Sequence, residues 1–413
     1  MVQSLAGILG LIFIAWVFSE NKKGMSIKNI GSGLLLQFAV ALLMLKVPFF
    51  SDMIMYLNHA VNALQNATQA GTSFVFGYLG GGPLPFTENS PGASWTLAFR
   101  ALPLILVVSA LSALLFYWKV IPVVVRGFSL ALQKTMDIGG ALGLGVASNI
   151  FVGMVEAPII IAPYVNSMSR SELMALMISG MATISGTVLV LYASILNPVL
   201  PGAIGHILTA SIISAPAAIL ISRVMVPEQK GHQGEDGLTI KSTASSSMDA
   251  IVKGTSDGVS LLINVVAMLL VLVALVSLTN QILSYLPEMG GEQLTLQRIL
   301  GIIMWPVVWL MGIPASEAYT ASSLMGTKTI LNEFLAYLQL AGLPEGALSP
   351  RSQIIMTYAM CGFANLGSLG ILIGGLVSIA PSRKAEIVSL GTKSVIGGTL
   401  ATCMTGAVVG LLY

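Results

Sequence analysis

The sequence predicts an all-α multispan membrane protein, with eight transmembrane helices plus two re-entrant hairpins arranged as an inverted repeat with unwound helices. Three observations predict it. Of 413 residues, 55% are hydrophobic and 9% charged, against roughly 25% charged in an ordinary soluble domain, and the mean hydropathy is +0.88. The 19 Lys+Arg and 17 Asp+Glu are too few to clothe a water-soluble globule, so most of the surface must face lipid. Apolar stretches of span length recur along the chain, and a short pattern that interrupts one of them returns in the second half. The net charge of +2 leaves no basic stripe, so nucleic acid is not an expected partner. Cys361 and Cys403 sit in apolar stretches without metal-ligand spacing or a disulfide framework, and redox chemistry is not indicated.

The first apolar run, Leu5 to Phe18, lacks a basic leading region and a small-residue cleavage site, so it is expected to stay in the protein as a helix. Lys22, Lys23 and Lys28 follow it directly, and the positive-inside rule puts that loop in the cytoplasm and the N-terminus outside. Further spans are expected at Ile30 to Val47, Trp95 to Trp118, Leu173 to Leu196, Ala203 to Val226, Gly258 to Leu286, Ile354 to Ile379 and Val395 to Tyr413. Gly80 to Ser94, opening Gly-Gly-Gly-Pro, reads as an exposed loop. Basic Lys119 to Lys134 and Arg383 to Lys384 count as inside, and Asn197 to Pro201 and Glu288 to Glu292 as outside. The count closes only if Asp137 to Tyr164 and Pro314 to Leu340 enter and leave on one side as hairpins, the first from inside and the second from outside. Both termini then lie on the periplasmic or extracellular side. Pro227 to Asp257, rich in Gly, Ser and charge, reads as the cytoplasmic linker.

Gly180-Met181-Ala182-Thr183-Ile184-Ser185-Gly186 aligns with Gly362-Phe363-Ala364-Asn365-Leu366-Gly367-Ser368. Each copy breaks an apolar span, and each follows a glutamate in an expected hairpin, Glu156 and Glu333. Small and hydroxyl or amide residues at mid-span let a helix unwind, because side chains, water or an ion meet the freed backbone groups. Matching broken segments in two halves point to a translocation site near the bilayer midplane. A carboxylate at membrane depth costs roughly 2.5 to 3.5 kcal/mol even on lenient scales, so it normally persists for function.

Asn149-Ile150-Phe151-Val152-Gly153-Met154-Val155-Glu156-Ala157-Pro158, Asn332-Glu333-Phe334 and Gly362 to Ser368, with Gly71-Thr72-Ser73-Phe74 and Gly312-Ile313-Pro314-Ala315-Ser316-Glu317, strongly resemble the concentrative nucleoside transporter family over nearly the whole chain. The resemblance implies a homotrimer in the cell (inner) membrane that couples nucleoside uptake to sodium or protons, with scaffold and mobile transport parts and no organic cofactor. Under it the chain divides into 1–118, scaffold helices with an interfacial segment; 119–226, a first repeat; 227–257, the linker; 258–286, a scaffold span; and 287–413, a second repeat.

A nucleoside presents a base edge and vicinal ribose hydroxyls, so its pocket needs carboxylate and amide groups at two places. The resemblance puts Gly153, Met154, Val155 and Glu156 of the first hairpin tip at the base, with Glu333, Asn365 and Ser368 at the ribose and Phe363 and Val188 as apolar wall. Many members carry Gln-Thr where this chain has Met154-Val155. An apolar pair reads fewer polar edges, so weaker pyrimidine discrimination is expected and the preferred base stays open; Met154 as packing filler is the other reading. The family's sodium site falls on Asn149 and Thr183 side chains and on the carbonyls of Val152 and Ile184. Asn149 as a helix cap is the alternative. Retention of an amide and a hydroxyl favours sodium over proton coupling, for which Glu156 or Glu333 would serve. Glu317 reads as a cap or network former. An intramembrane enzyme using the paired glutamates as an acid/base dyad is the rival of a different class. It lacks a Ser-His arrangement or H-E-x-x-H, and His59, His206 and His232 are expected in loops or at span ends, far in sequence from both glutamates.

Overall fold

The computed structural model describes residues 2–89, 93–154, 156–228, 244–288, 291 and 293–413. Helices account for its architecture, and no strand occurs among the described residues. The chain opens with α1 (Val2–Val17), α2 (Ile27–Lys46) and the long α3 (Pro48–Phe76). Ser26 caps α2 by accepting the Asn29 N–H, and Pro48 sits at the start of α3, where a missing N–H costs nothing. A π-turn at Leu97–Ala101 leads into α4 (Leu104–Tyr117).

Beyond α4 the chain uses one arrangement twice. In the first repeat, α5 (Val120–Met136) precedes a helix-break-helix segment of α6 (Gly140–Asn149), α7 (Glu156–Ile160) and α8 (Ala162–Val165). Then come α9 (Arg170–Ala182) and α10 (Gly186–Leu196), one broken helix, and the continuous α11 (Ala203–Met225). After α12 (Ser247–Leu283), the second repeat runs α13 (Leu296–Leu310), the broken pair α14 (Ala315–Ile330) and α15 (Glu333–Ala341), the broken pair α16 (Pro350–Met360) and α17 (Leu366–Ile379), and the continuous α18 (Lys384–Leu412). The α6–α7 and α14–α15 breaks lie inside the stretches read as hairpins, and the α9–α10 and α16–α17 breaks inside the two interrupted spans.

The breaks follow from local chemistry. Thr183, Ile184 and Ser185 separate α9 from α10, and Thr183 caps α9 in an extended conformation. Asn332 and Asn365 start α15 and α17 as N-caps, accepting the N–H groups of Leu335 at 3.0 Å and Ser368 at 2.7 Å. Ser169 and Glu172 form a reciprocal capping box that fixes the start of α9.

Among the described residues six helices, with α9 and α10 taken together, are long and apolar enough to cross a membrane, while α1 and α17 are shorter apolar helices. The repeats bury each other: α9 and α16 both pack on α18, and α11 packs on α9 and α18. Helices α1 and α2 also lie on this body, against α18 and α11, whereas α4 pairs chiefly with α12. Most of α12 is exposed, with Ile263, Leu270 and Leu278 turned outward.

Two expectations need correction. Helix α12 begins at Ser247, inside the stretch read as linker; Ser246 caps it, accepting the Asp249 N–H at 3.1 Å, and the charged first turns sit on a helix rather than a loop. The middle of that stretch, 229–243, with His232, lies outside the described residues. His59 is within α3, not in a loop or at a span end, because α3 runs unbroken from Pro48 to Phe76. Both cysteines are free and buried.

Candidate functional site

The four breaks meet. The Phe363 N–H, in the break between α16 and α17, donates to the Thr183 carbonyl in the break between α9 and α10, at 3.3 Å. Gly186 N–H donates to the Phe151 carbonyl at 3.1 Å, joining the first hairpin tip to the same crossing. Approach is so close that a Cβ on Gly362 would fall 2.7 Å from the Met181 carbonyl oxygen. Glycine is required there by space and not by backbone angle.

Against this crossing lies a cavity of about 190 Å³. Gly153, Met154 and Glu156 of the first tip and Asn332 and Glu333 of the second line it, with Val188, Phe363, Asn365 and Ser368 from the broken helices. Every described residue expected to bind substrate therefore faces one space; Val155 lies outside the described residues. Part of the wall comes from α12, whose Leu261, Val265, Met268 and Leu272 recur at helical spacing with Asn264 among them.

Glu333 is 3% exposed and held at both oxygens. Tyr192 donates to Oε1 at 2.6 Å and Asn365 Nδ2 donates to Oε2 at 3.0 Å. Asn365 thus does two things at once, capping α17 with its Oδ1 and orienting the carboxylate with its amide. A carboxylate oxygen has lone pairs to spare after one such bond, so Glu333 is arranged to accept further hydroxyl donors from the cavity. Glu156 is more exposed, and its carboxylate folds back over Gly153.

The residues expected to hold a cation also come together. Thr183 Oγ1 lies 2.8 Å from the Ser179 carbonyl and 3.0 Å from the Asn149 carbonyl, its single proton shared between the two. With its proton so directed, the hydroxyl's lone pairs face elsewhere. Asn149 is 1% exposed, and neither its Oδ1 nor its Nδ2 has a hydrogen-bond partner among the described residues. Buried amides are normally satisfied, so an amide oxygen left unpaired beside a hydroxyl whose lone pairs remain open suits a small cation. Asn149 ends α6 rather than starting a helix, so the N-cap reading fails. Val152 and Ile184 stand in the two breaks, outside regular helix. Glu317 belongs to neither site: it accepts from the Ser349 N–H and hydroxyl, both at 3.1 Å, at the start of α16.

Sequence reasoning missed Tyr192, Asn264 and Lys328. Tyr192 and Asn264 lie inside apolar runs with no motif around them. Lys328 was legible as a charge in an otherwise weakly charged hairpin, the same signal that drew attention to Glu333, and it is fully buried.

Residues 6–79 match the family model for the Na+ dependent nucleoside transporter N-terminus, 98–199 that for nucleoside recognition (Gate), and 206–410 that for the Na+ dependent nucleoside transporter C-terminus. The chain is 36% identical to the nucleoside permease NupC of Helicobacter pylori, over 99% of this chain and 97% of that protein. It is 32% identical to human solute carrier family 28 member 3, over 99% of this chain and 59% of that longer protein. In three dimensions it is similar to CNTnw in an inward-facing substrate-bound state, with a TM-score of 0.88 at 35% identity, covering 99% of this chain and 98% of that one. The matched families and relatives are transporters and permeases, so the chain is a membrane transporter and not an enzyme. The chain belongs to the concentrative nucleoside transporter family.

Proposed function

We propose that the protein is a sodium-coupled nucleoside symporter working by elevator-like alternating access, as a homotrimer in the cell (inner) membrane with both termini outside. The observation that carries this reading is the convergence of both hairpin glutamates, Glu156 and Glu333, on one cavity beside a buried asparagine with an unpaired amide. Glu333, Asn365 and Ser368 take the ribose hydroxyls. Glu156, with Gly153, Met154 and Val155, faces the base, and Val188 and Phe363 pack on its faces. Sodium sits between Asn149, Thr183 and the carbonyls of Val152 and Ile184.

Coupling arises because the two sites share the first hairpin tip. Sodium pulls that tip, through Asn149 and Val152, against the break that carries Thr183 and Ile184; Met154 and Glu156 of the same tip then close the nucleoside pocket. Relatives support a moving unit: CNTnw is solved inward-facing, outward-facing and in intermediates, all with TM-scores of 0.87 to 0.89 to this chain. The α4–α12 pair, which packs mainly on itself and meets the repeats through α10 and the cavity wall, suits a fixed scaffold, and the exposed apolar face of α12 suits lipid or a second copy. One sodium entering through roughly 100 mV yields about 2.3 kcal/mol. A tenfold gradient adds about 1.4, enough for accumulation on the order of several hundredfold. No ATP-binding G-x-x-x-x-G-K-[ST] loop is needed, and the sequence has none.

The test is uptake of a labelled nucleoside panel into proteoliposomes under sodium, proton or no gradient, repeated with Asn149→Leu and Glu156→Gln. Sodium alone should drive accumulation, Asn149→Leu should abolish the sodium dependence, and Glu156→Gln should lower uptake of every nucleoside. Uptake driven equally by a proton gradient would move the coupling to a carboxylate. With Met154 in place of a hydrogen-bonding residue, purines and pyrimidines should differ less than tenfold, about 1.4 kcal/mol; a strict pyrimidine preference would overturn that reading.

A further inference from the structure

Helix α12 carries a single amide on an otherwise apolar wall. From Leu261 to Val276 every residue is apolar except Asn264, and Asn264 lines the cavity. An amide at membrane depth costs free energy unless it is hydrogen-bonded, and its ordinary use there is a bond to a neighbouring helix. Among the described residues no hydrogen bond reaches the Asn264 side chain. Every other polar side chain on the cavity wall comes from the two repeats, so Asn264 is the one polar group that the α4–α12 pair adds.

Contacts along α12 place this amide at one end of the cavity. Val273 and Val276 border the same recess as Leu331 of the second hairpin tip. One turn earlier, Met268 and Leu272 lie against the start of α17, where a Cβ on Gly367 would come within 3.4 Å of Met268 and 3.6 Å of Leu272. That is the end bearing Asn365 and Ser368. Asn264 stands four residues before Met268, about 6 Å further along the helix axis. The order along α12 is therefore second tip, ribose groups, Asn264, and the end of the cavity left for Asn264 is that of the first tip, with Met154 and Glu156. The base lies at that end in the function proposed above.

We propose that Asn264 is a base-reading residue, a specificity-determining amide supplied by α12 that hydrogen-bonds the base edge where the Met154-Val155 pair has no polar side chain. This deepens the nucleoside-transport reading and rests on it. An amide carries an acceptor oxygen and a donor nitrogen side by side. Uracil, cytosine, adenine and guanine each present a donor next to an acceptor on the edge away from the sugar, and such an edge takes an amide by two bonds, as asparagine takes adenine. Turning the amide by half a rotation exchanges its oxygen and nitrogen, so one residue serves edges of either order. The selection Asn264 makes is for a base with a hydrogen-bonding edge and not for purine over pyrimidine, in keeping with the small difference expected from Met154.

The experiment is titration of the purified protein, in sodium, with uridine, adenosine and the difluorobenzene riboside, which keeps the shape and sugar of uridine but has no hydrogen-bonding edge. Asn264→Leu removes the amide at similar size and makes the span more apolar, so the fold is not put at risk. It should lose about five- to tenfold in affinity for uridine and adenosine and nothing for the difluorobenzene riboside. Asn264→Gln, which keeps the amide on a longer stem, should still favour uridine over its isostere by more than Asn264→Leu does. An equal loss for all three ligands would place the amide at the ribose or in helix packing and overturns the proposal, as does an unchanged affinity for uridine and adenosine. Wild type that binds uridine and its isostere alike overturns it too, whatever the variants do. Wild type that binds none of the three defeats the nucleoside reading itself, and is told apart because the variants then have no affinity to lose.

Discussion

At the scale of single residues, the cavity is organised around one carboxylate. Tyr192 and Asn365 each fix an oxygen of Glu333, so its lone pairs are aimed before any ligand arrives, and less ordering remains to be done on binding. Hydrogen bonds to charged groups are worth about 1.5 to 3 kcal/mol, so Glu333→Gln should weaken nucleoside binding by about 10- to 100-fold, read by titration of the purified protein. Tyr192→Phe removes a neighbour of the carboxylate and not the carboxylate itself; a loss of about fivefold is expected, close to 1 kcal/mol. Unchanged affinity in Glu333→Gln would remove Glu333 from the proposed ribose contacts. Met154 shows the opposite economy: it is 8% exposed, and it lines the cavity without a group that can read a base edge.

At the scale of elements, what matters is where helices stop. A continuous α9–α10 or α16–α17 would satisfy its own carbonyls and offer none to a ligand. The two breaks instead cross, joined by the Phe363 to Thr183 hydrogen bond, and the crossing tolerates no Cβ at Gly362. Gly362→Ala should therefore destabilise by about 1 to 3 kcal/mol through overpacking and should lower uptake by forcing the two broken helices apart. Gly374 in α17 is the control: a Cβ there meets nothing within 4 Å, so Gly374→Ala should leave the melting midpoint unchanged or raise it slightly, by at most about 1 kcal/mol of helix propensity. Equal midpoints for the two variants would show that the crossing has slack.

Over the whole molecule, a charged cluster around the loop after α1 ties distant parts of the chain together. Glu20, in the loop after α1, is met by Arg170 at the start of α9, at 2.8 and 2.9 Å, and by Lys393 of α18 at 2.7 Å. Glu386, 3.7 Å from Arg170, is itself paired with Arg383 at 2.7 Å. Hydrogen bonding from Arg170, more than the opposing burial, with further help from Lys393, pulls the Glu20 carboxyl down from 4.5 to about 2. Because the folded value lies below the unfolded one, this stabilisation is complete above about pH 4.5 and fades as pH falls toward 2. The pairs are part-exposed, so the effect is modest and screened by salt. Glu20→Gln should flatten the acid limb of a melting-midpoint-against-pH curve over that window and leave the neutral midpoint slightly lowered; an unaltered acid limb would mean that other carboxylates set it.

Much of this was legible in the chain. Composition alone required a membrane solvent, because so few charges cannot cover a soluble surface. Helix starts were written locally, in Ser26, Ser169, Asn332 and Asn365, since a cap needs only its own next turn. The aligned Gly180 and Gly362 segments marked both broken spans, because small polar residues inside an apolar run have few other uses. Sequence could not say that the two breaks touch, that Tyr192 reaches Glu333 across 141 positions, or that Lys328 turns inward to the Ala359 carbonyl. These are long-range pairings decided by how one repeat packs on the other, and no local pattern encodes the partner. The linker boundary failed for a related reason: Ser246 to Asp257 is polar enough for a loop, and only continuity with the apolar length of α12 made it helix. The order of elements and the chemistry available at each break were set by the sequence itself; which oxygens and which charges share one cavity was decided by the tertiary structure, because side chains far apart in the chain meet only after the helices have packed.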